Sequence, residues 1–174
     1  MKLIPLFLSI LISLGSFAQP LPLPYQIQQV PLPEAMNKQV CISGIKYMDG
    51  KLYFVSERCP MILVTDPATG AITQTIATSI GQEFEMEGLT SYKSKLYSVS
   101  EELVAVYEID PATGQSKQLS TSVPLPPKSK SGDGMEGIAA NETNNKFYIL
   151  RERNENMTFA QIWTFSIEPG SEDN

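Results

Sequence analysis

The chain has 174 residues, 42% of them apolar, a formal net charge of −6, 13 prolines, 11 glycines, two cysteines and no histidine. An acidic chain lacks the clustered Lys and Arg that bind a phosphate backbone, so no nucleic-acid partner is expected. Without histidine, a Ser–His–Asp triad, a Cys–His pair and a His-ligated zinc or iron site cannot be built, which leaves carboxylate chemistry, hard-cation binding and recognition.

Residues 1–18 read as a signal peptide. Met1 and Lys2 give a charged start, residues 3–14 are apolar apart from Pro5 and two serines, and Ala18 is the small residue before the cleavage point. The run is short for a membrane span, which needs roughly 20 residues, and no cysteine follows it to carry a lipid. The expected product is exported, periplasmic or extracellular, with no membrane insertion after cleavage. Residues 19–40 form an N-terminal segment with one strand, 25–30. In an oxidising compartment, Cys41 and Cys59 are more often a disulfide than a thiol site.

The rest of the chain repeats itself. Gly44-Ile-Lys-Tyr-Met-Asp-Gly-Lys-Leu-Tyr-Phe-Val-Ser-Glu57 aligns without a gap on Gly88-Leu-Thr-Ser-Tyr-Lys-Ser-Lys-Leu-Tyr-Ser-Val-Ser-Glu101, at an offset of 44. The alignment runs on to Asp66-Pro-Ala-Thr-Gly70 and Asp110-Pro-Ala-Thr-Gly114, with 12 identities in 27 positions. A third copy opens at Glu136-Gly137-Ile-Ala and continues in Lys146-Phe-Tyr-Ile-Leu-Arg-Glu152, with two extra residues in its turn. That period is the size of a propeller blade.

Inside each copy, short segments such as Leu52-Tyr-Phe-Val-Ser56 are rich in aromatic and β-branched residues, as in strands. Asp49-Gly50 is a hairpin signal. Residues 104–109 are a third strand, Asp110 to Gly114 a turn, and 115–119 a polar outer strand. Copy three continues into a strand at 162–167. The fold class is therefore all-β: an array of about three four-stranded antiparallel blades (41–76, 85–120 and 134–168) in an incomplete or open ring, with 169–174 as a flexible tail. Propellers have four to eight blades. Truncation, assembly with copies of itself and an open array are the three readings, truncation first.

The ends of one hairpin lie at the same rim of a sheet. This places Glu87 beside Glu101 and Glu136 beside Glu152. Ser43 replaces the first acid in copy one, where Glu57 remains. With the first strand nearest the axis, Glu57, Glu87, Glu101, Glu136 and Glu152 face one mouth of a central channel. Glu85, Glu102 and Asp133 lie nearby, interleaved with Arg58, Arg151 and Arg153. Gathered carboxylates repel one another unless a cation or guanidinium neutralises them. Calcium, with six to eight oxygen ligands, suits such a set better than a transition metal. The arginines are candidate anion or ligand contacts. The same hairpin register sets Cys41 opposite about Cys59, predicting a disulfide. Tyr53, Tyr97 and Tyr148 read as repeated packing residues.

Ser43-Gly-Ile…Leu-Tyr-Phe-Val-Ser-Glu57, Glu87-Gly-Leu…Leu-Tyr-Ser-Val-Ser-Glu101 and Asp133-Gly-Met-Glu-Gly-Ile-Ala…Phe-Tyr-Ile-Leu-Arg-Glu-Arg153 resemble blades of the phytase-like propellers. These include the group labelled "esterase-like activity of phytase" and the related SdiA-regulated proteins. The resemblance covers roughly residues 40–168, about half of a full propeller. It implies six blades in full-length members, export in many, and calcium held by channel acids, here Glu87, Glu101, Glu136 and Glu152, with Glu57 a partial match. The first expectation for function is an exported propeller that binds a cation, calcium, and a small-molecule or phosphorylated ligand at its acidic rim without catalysis. The alternatives are a calcium-dependent phosphoester hydrolase, with Arg151 or Arg153 on the anion, and an inactive truncated fragment. Self-association through open blade edges is a further expectation.

Overall fold

The computed structural model describes residues 40–81, 84–120, 134–153 and 160–166. The expected signal peptide, the strand at 25–30, Asp133 and the tail at 169–174 lie outside them. The described residues form three antiparallel sheets. The first has β1 (Ile42–Met48), β2 (Lys51–Ser56), β3 (Met61–Thr65) and β4 (Ile72–Ala77) in chain order. The second repeats the pattern with β5 (Met86–Tyr92), β6 (Lys95–Ser100), β7 (Ala105–Ile109) and β8 (Ser116–Gln118). The third has β9 (Met135–Asn141), β10 (Lys146–Arg151) and β11 (Gln161–Ser166). The chain is all-β and propeller-like, and the third blade shows three strands among the described residues.

The turns follow from the repeated sequence. Asp49 and Gly50 both take positive φ, 50° and 75°, as a tight two-residue hairpin requires. Copy two makes the same turn with Lys93 and Ser94, again at positive φ. The repeated pentapeptide is a loop closed by its own aspartate. Asp66 Oδ1 accepts from the amides of Ala68 and Thr69, and Asp110 Oδ1 does so from Ala112 and Thr113. Gly70 and Gly114 supply the positive φ that ends it.

Apolar residues follow one another along the middle strands, as in Leu52-Tyr53-Phe54-Val55 and Met61-Ile62-Leu63-Val64, so each sheet has two faces to cover. Tyr53, Val55, Ile62 and Val64 of blade one meet Met86, Leu89, Leu96 and Ile109 of blade two, with Ile80 and Phe84 of the link between them. The opposite face of blade two, with Tyr97, Val99 and Val106, meets Phe147, Ile149 and Phe165 of blade three. The blades therefore stack face to face, and their first strands β1, β5 and β9 lie side by side. A Cβ on Gly44 would stand 2.3 Å from the Glu87 carbonyl oxygen, and one on Gly88 2.5 Å from the Ile138 nitrogen. The glycine of the repeated Gly-Ile/Leu step is thus where one inner strand meets the next.

One element departs from the hairpin register read off the sequence. In every blade a β-bulge interrupts the pairing of the first two strands. Ile42 pairs with Ser56 but Gly44 with Val55, leaving Ser43 as the extra residue. Met86 pairs with Ser100 and Leu89 with Ser98, a bulge across Glu87 and Gly88. Met135 pairs with Arg151 and Gly137 with Leu150, leaving Glu136. Glu57, Glu101 and Glu152 consequently donate their amides to the carbonyls of Cys41, Glu85 and Gly134. The expected pairs Glu87/Glu101 and Glu136/Glu152 are each displaced by two residues.

The expected disulfide fails for the same reason. Cys41 lies opposite Glu57, the chain bends away through residues 57–60, and Cys41 and Cys59 are free, half-buried cysteines. The top of the hairpin is pinned by Ser56 instead. Its hydroxyl donates to the Val40 carbonyl and accepts from the amides of Arg58 and Cys59, both at 3.0 Å. Ser100 repeats the device in blade two, donating to the Phe84 carbonyl and accepting from the Leu103 amide at 3.1 Å. Ser100 is fully buried, so Ser100→Ala leaves a carbonyl and an amide without their partner. The expected loss is about 1–3 kcal/mol, read as a lower urea midpoint at unchanged slope.

Candidate functional site

The bulges decide where the acids point. An extra residue in one strand re-aims its side chain out of the regular alternation, and in blades two and three that residue is a glutamate. Glu87, at the centre, is 7% exposed. Burial, together with the negative charges of Glu136, Glu57 and Glu101, pushes its carboxyl up from 4.5 to about 8, against a hydrogen bond from Ser43 that lowers it. Three blades thus contribute to one acidic mouth: Ser43 and Glu57 from the first, Glu87 and Glu101 from the second, Glu136 from the third.

Ser43 has a part that the sequence reading gave only to acids. Its hydroxyl donates to Glu57 Oε1 at 3.0 Å and also serves Glu87. Its alignment with Glu87 and Glu136 was the available signal. The Glu101 side chain lies over Gly134, where a Cβ would fall 1.8 Å from its Cγ, so the glycine makes room for the acid.

The other expected residues are placed as follows. Glu85 is half-buried, and its carbonyl faces the Glu101 amide. Glu102 and Arg58 are exposed. Glu152 is half-buried, 2.8 Å from Arg153 Nη2. Arg151 takes the position of Ser56 and Ser100 and is buried within the blade, so Arg153 is the more open of the two guanidinium groups. Among the described residues, no three His, Cys, Asp or Glu side chains stand close enough together to hold a metal ion. The donor set is one of hard oxygens, suited to an alkaline-earth cation, but the carboxylates are not drawn into a cage.

Three stacked antiparallel sheets whose first strands line one axis, with acids at one mouth of that axis, define a partial β-propeller. The chain belongs to the SdiA-regulated family, whose model matches residues 23–168. No curated protein matches it. Solved structures similar to it are β-propeller proteins. Glutaminyl cyclase of Myxococcus xanthus is 16% identical, with a TM-score of 0.50 over 73% of this chain and 56% of that one. A proposed 6-phosphogluconolactonase of Bacteroides uniformis is 14% identical, with a TM-score of 0.53 over 81% of this chain and 41% of that one. The chain spans about half the length of these structures, and at such identities the likeness is one of fold.

Proposed function

We propose that the chain is an exported, non-catalytic binding propeller whose acidic mouth takes a hard cation, calcium, together with a small-molecule or phosphorylated ligand. The observation that carries this reading is the placement of Glu87, a carboxyl buried beside three other carboxylates supplied by three blades. Such a group is costly to ionise alone, and a divalent ion is the simplest partner that removes the cost. Calcium tolerates irregular shells of oxygen ligands, so Glu57, Glu101 and Glu136 can close on it from a set that is not preformed. Arg153, exposed at the end of β10, supports the contact with an anionic ligand. The non-catalytic part of the reading is supported by the chain's lack of the histidine that a Ser–His–Asp or Cys–His site needs.

The test is thermal unfolding of the full chain titrated with calcium, with magnesium alongside. Calcium is expected to raise the melting temperature, because a ligand that binds only the folded state stabilises it. Ionised Glu87 is the binding form, so the effect should grow as pH rises from about 6 to 8, by roughly tenfold in affinity per unit below its titration. Glu136→Gln should weaken calcium by at least about tenfold. A melting temperature flat in both cations at pH 8.5 overturns the cation site. Calcium-dependent release of phosphate from a phosphomonoester overturns the non-catalytic reading.

A further inference from the structure

The cation reading makes no use of Arg151, whose side chain is 1% exposed and among the largest fully buried ones. A guanidinium keeps its charge at every working pH, so burying one is tolerable only beside a carboxylate. Its direction follows from the strand. Phe147, Ile149 and Arg151 share one face of β10, and Phe147 and Ile149 lie in the cluster that blades two and three have in common. Met135, the cross-strand partner of Arg151, lies in that cluster too. The facing strand β6 supplies Tyr97 and Val99, with the Tyr97 and Phe147 rings 5.0 Å apart. Two residues beyond Val99 is Glu101, and two beyond Ile149 is Arg151. The two facing rows thus end at the mouth, one in an acid and the other in a guanidinium. Glu101 is half-buried and its side chain lies over Gly134, next to Met135.

The two interblade interfaces differ at these positions in a compensating way. At the first, Glu57 ends the row of Tyr53 and Val55 and accepts from the Ser43 hydroxyl at 3.0 Å. Ser100 ends the facing row, with its own hydroxyl given to the Phe84 carbonyl. At the second, the counterpart of Ser43 is Glu87, an acid where a hydroxyl stood, and the counterpart of Ser100 is Arg151. The donor lost on one side of Glu101 is regained on the other. Glu152, the third acid of the series, has Arg153 Nη2 at 2.8 Å.

We propose that Arg151 is the built-in counter-ion of Glu101: its guanidinium holds that carboxylate across the interface between blades two and three and keeps it out of the cation's shell. The second half of this statement rests on the cation reading and narrows it, leaving Glu57, Glu87 and Glu136 as the ligands. Arg151 is a positioning residue, and Arg153 stays the guanidinium open to an anionic ligand.

Urea unfolding in chelator of Arg151→Met, Glu101→Gln and the double variant tests the pair with no cation present. Each single change strands one charge and should lower the urea midpoint, and the double change should recover most of the loss. Should Arg151→Met fail to fold, cooperative unfolding regained in the double variant supports the pair and its absence overturns it. Calcium titrations of the melting temperature then test the narrowed shell. Arg151→Met frees Glu101 and should tighten calcium by about tenfold. The double variant removes one charge of each sign and should bind calcium within about threefold of wild type. Losses that simply add in the double variant, or a Glu101→Gln variant as stable as wild type, overturn the pair. A coupled pair whose double variant loses calcium by about tenfold or more overturns the exclusion of Glu101 from the shell. A wild-type melting temperature flat in calcium overturns the cation reading and the shell with it, while the coupling in chelator still decides the pair.

Discussion

Glu87→Gln should flatten the pH dependence of stability and make the protein more stable than wild type in mildly alkaline solution. The sign follows from where the proton sits. In the unfolded chain this carboxyl titrates near 4.5, and in the folded protein near 8. Between those values the folded state holds a proton that the unfolded state has lost, so wild-type stability falls as pH rises through the window. The slope from one such group is about 1.4 kcal/mol per pH unit, and across the window the loss reaches a few kcal/mol. Gln is neutral throughout and nearly the same shape. The two proteins should therefore match near pH 5 and diverge by a few kcal/mol, in favour of the variant, near pH 8.5. The groups that face Glu87 are Glu57, Glu101, Glu136 and Ser43; all four are present in both proteins, so the divergence belongs to Glu87. Urea unfolding at several pH values, in chelator, reads it directly. Parallel profiles for the two proteins would show that Glu87 is solvated and that the mouth holds no buried carboxyl.

The fold was largely legible because a repeat is a strong signal: the 44-residue offset and the shared Asp-Pro-Ala-Thr-Gly turn identify the hairpins and the number of copies. The membership of the acidic mouth was legible for Glu57, Glu87, Glu101 and Glu136, since the same rim position recurs in each copy. Its internal geometry was not. A bulge inserts one residue without leaving a gap in the alignment, because all three copies carry it at the same place. Aligning copies with one another cannot reveal a feature they share, so the register of each hairpin was read as regular, and the expected Cys41–Cys59 bridge inherited that error. Ser43 was passed over because it looked like an acid lost rather than a hydroxyl gained. Burial of Arg151 was hidden for a related reason: at the site of two buried serines, only the packed structure says whether a long cation follows them inward.

Gly88 and Gly137 stand at the same position of the repeat, and alanine at the two should have opposite effects. A Cβ at Gly88 would lie 2.5 Å from the Ile138 nitrogen and 2.7 Å from the Gly137 Cα. Both are backbone atoms of the neighbouring inner strand, which cannot step aside without opening the stack. Gly88→Ala should therefore cost about 3 kcal/mol or more, the upper range for overpacking, even though losing a strand glycine by itself would favour folding by about 0.5–1 kcal/mol. At Gly137 the nearest atom is the Leu150 Cβ at 3.4 Å, an ordinary contact, so the entropic gain survives and Gly137→Ala should be neutral or slightly stabilising. Urea unfolding of the two variants beside wild type separates them. Equal and large losses at both sites would mean that something already occupies the slot beside β9.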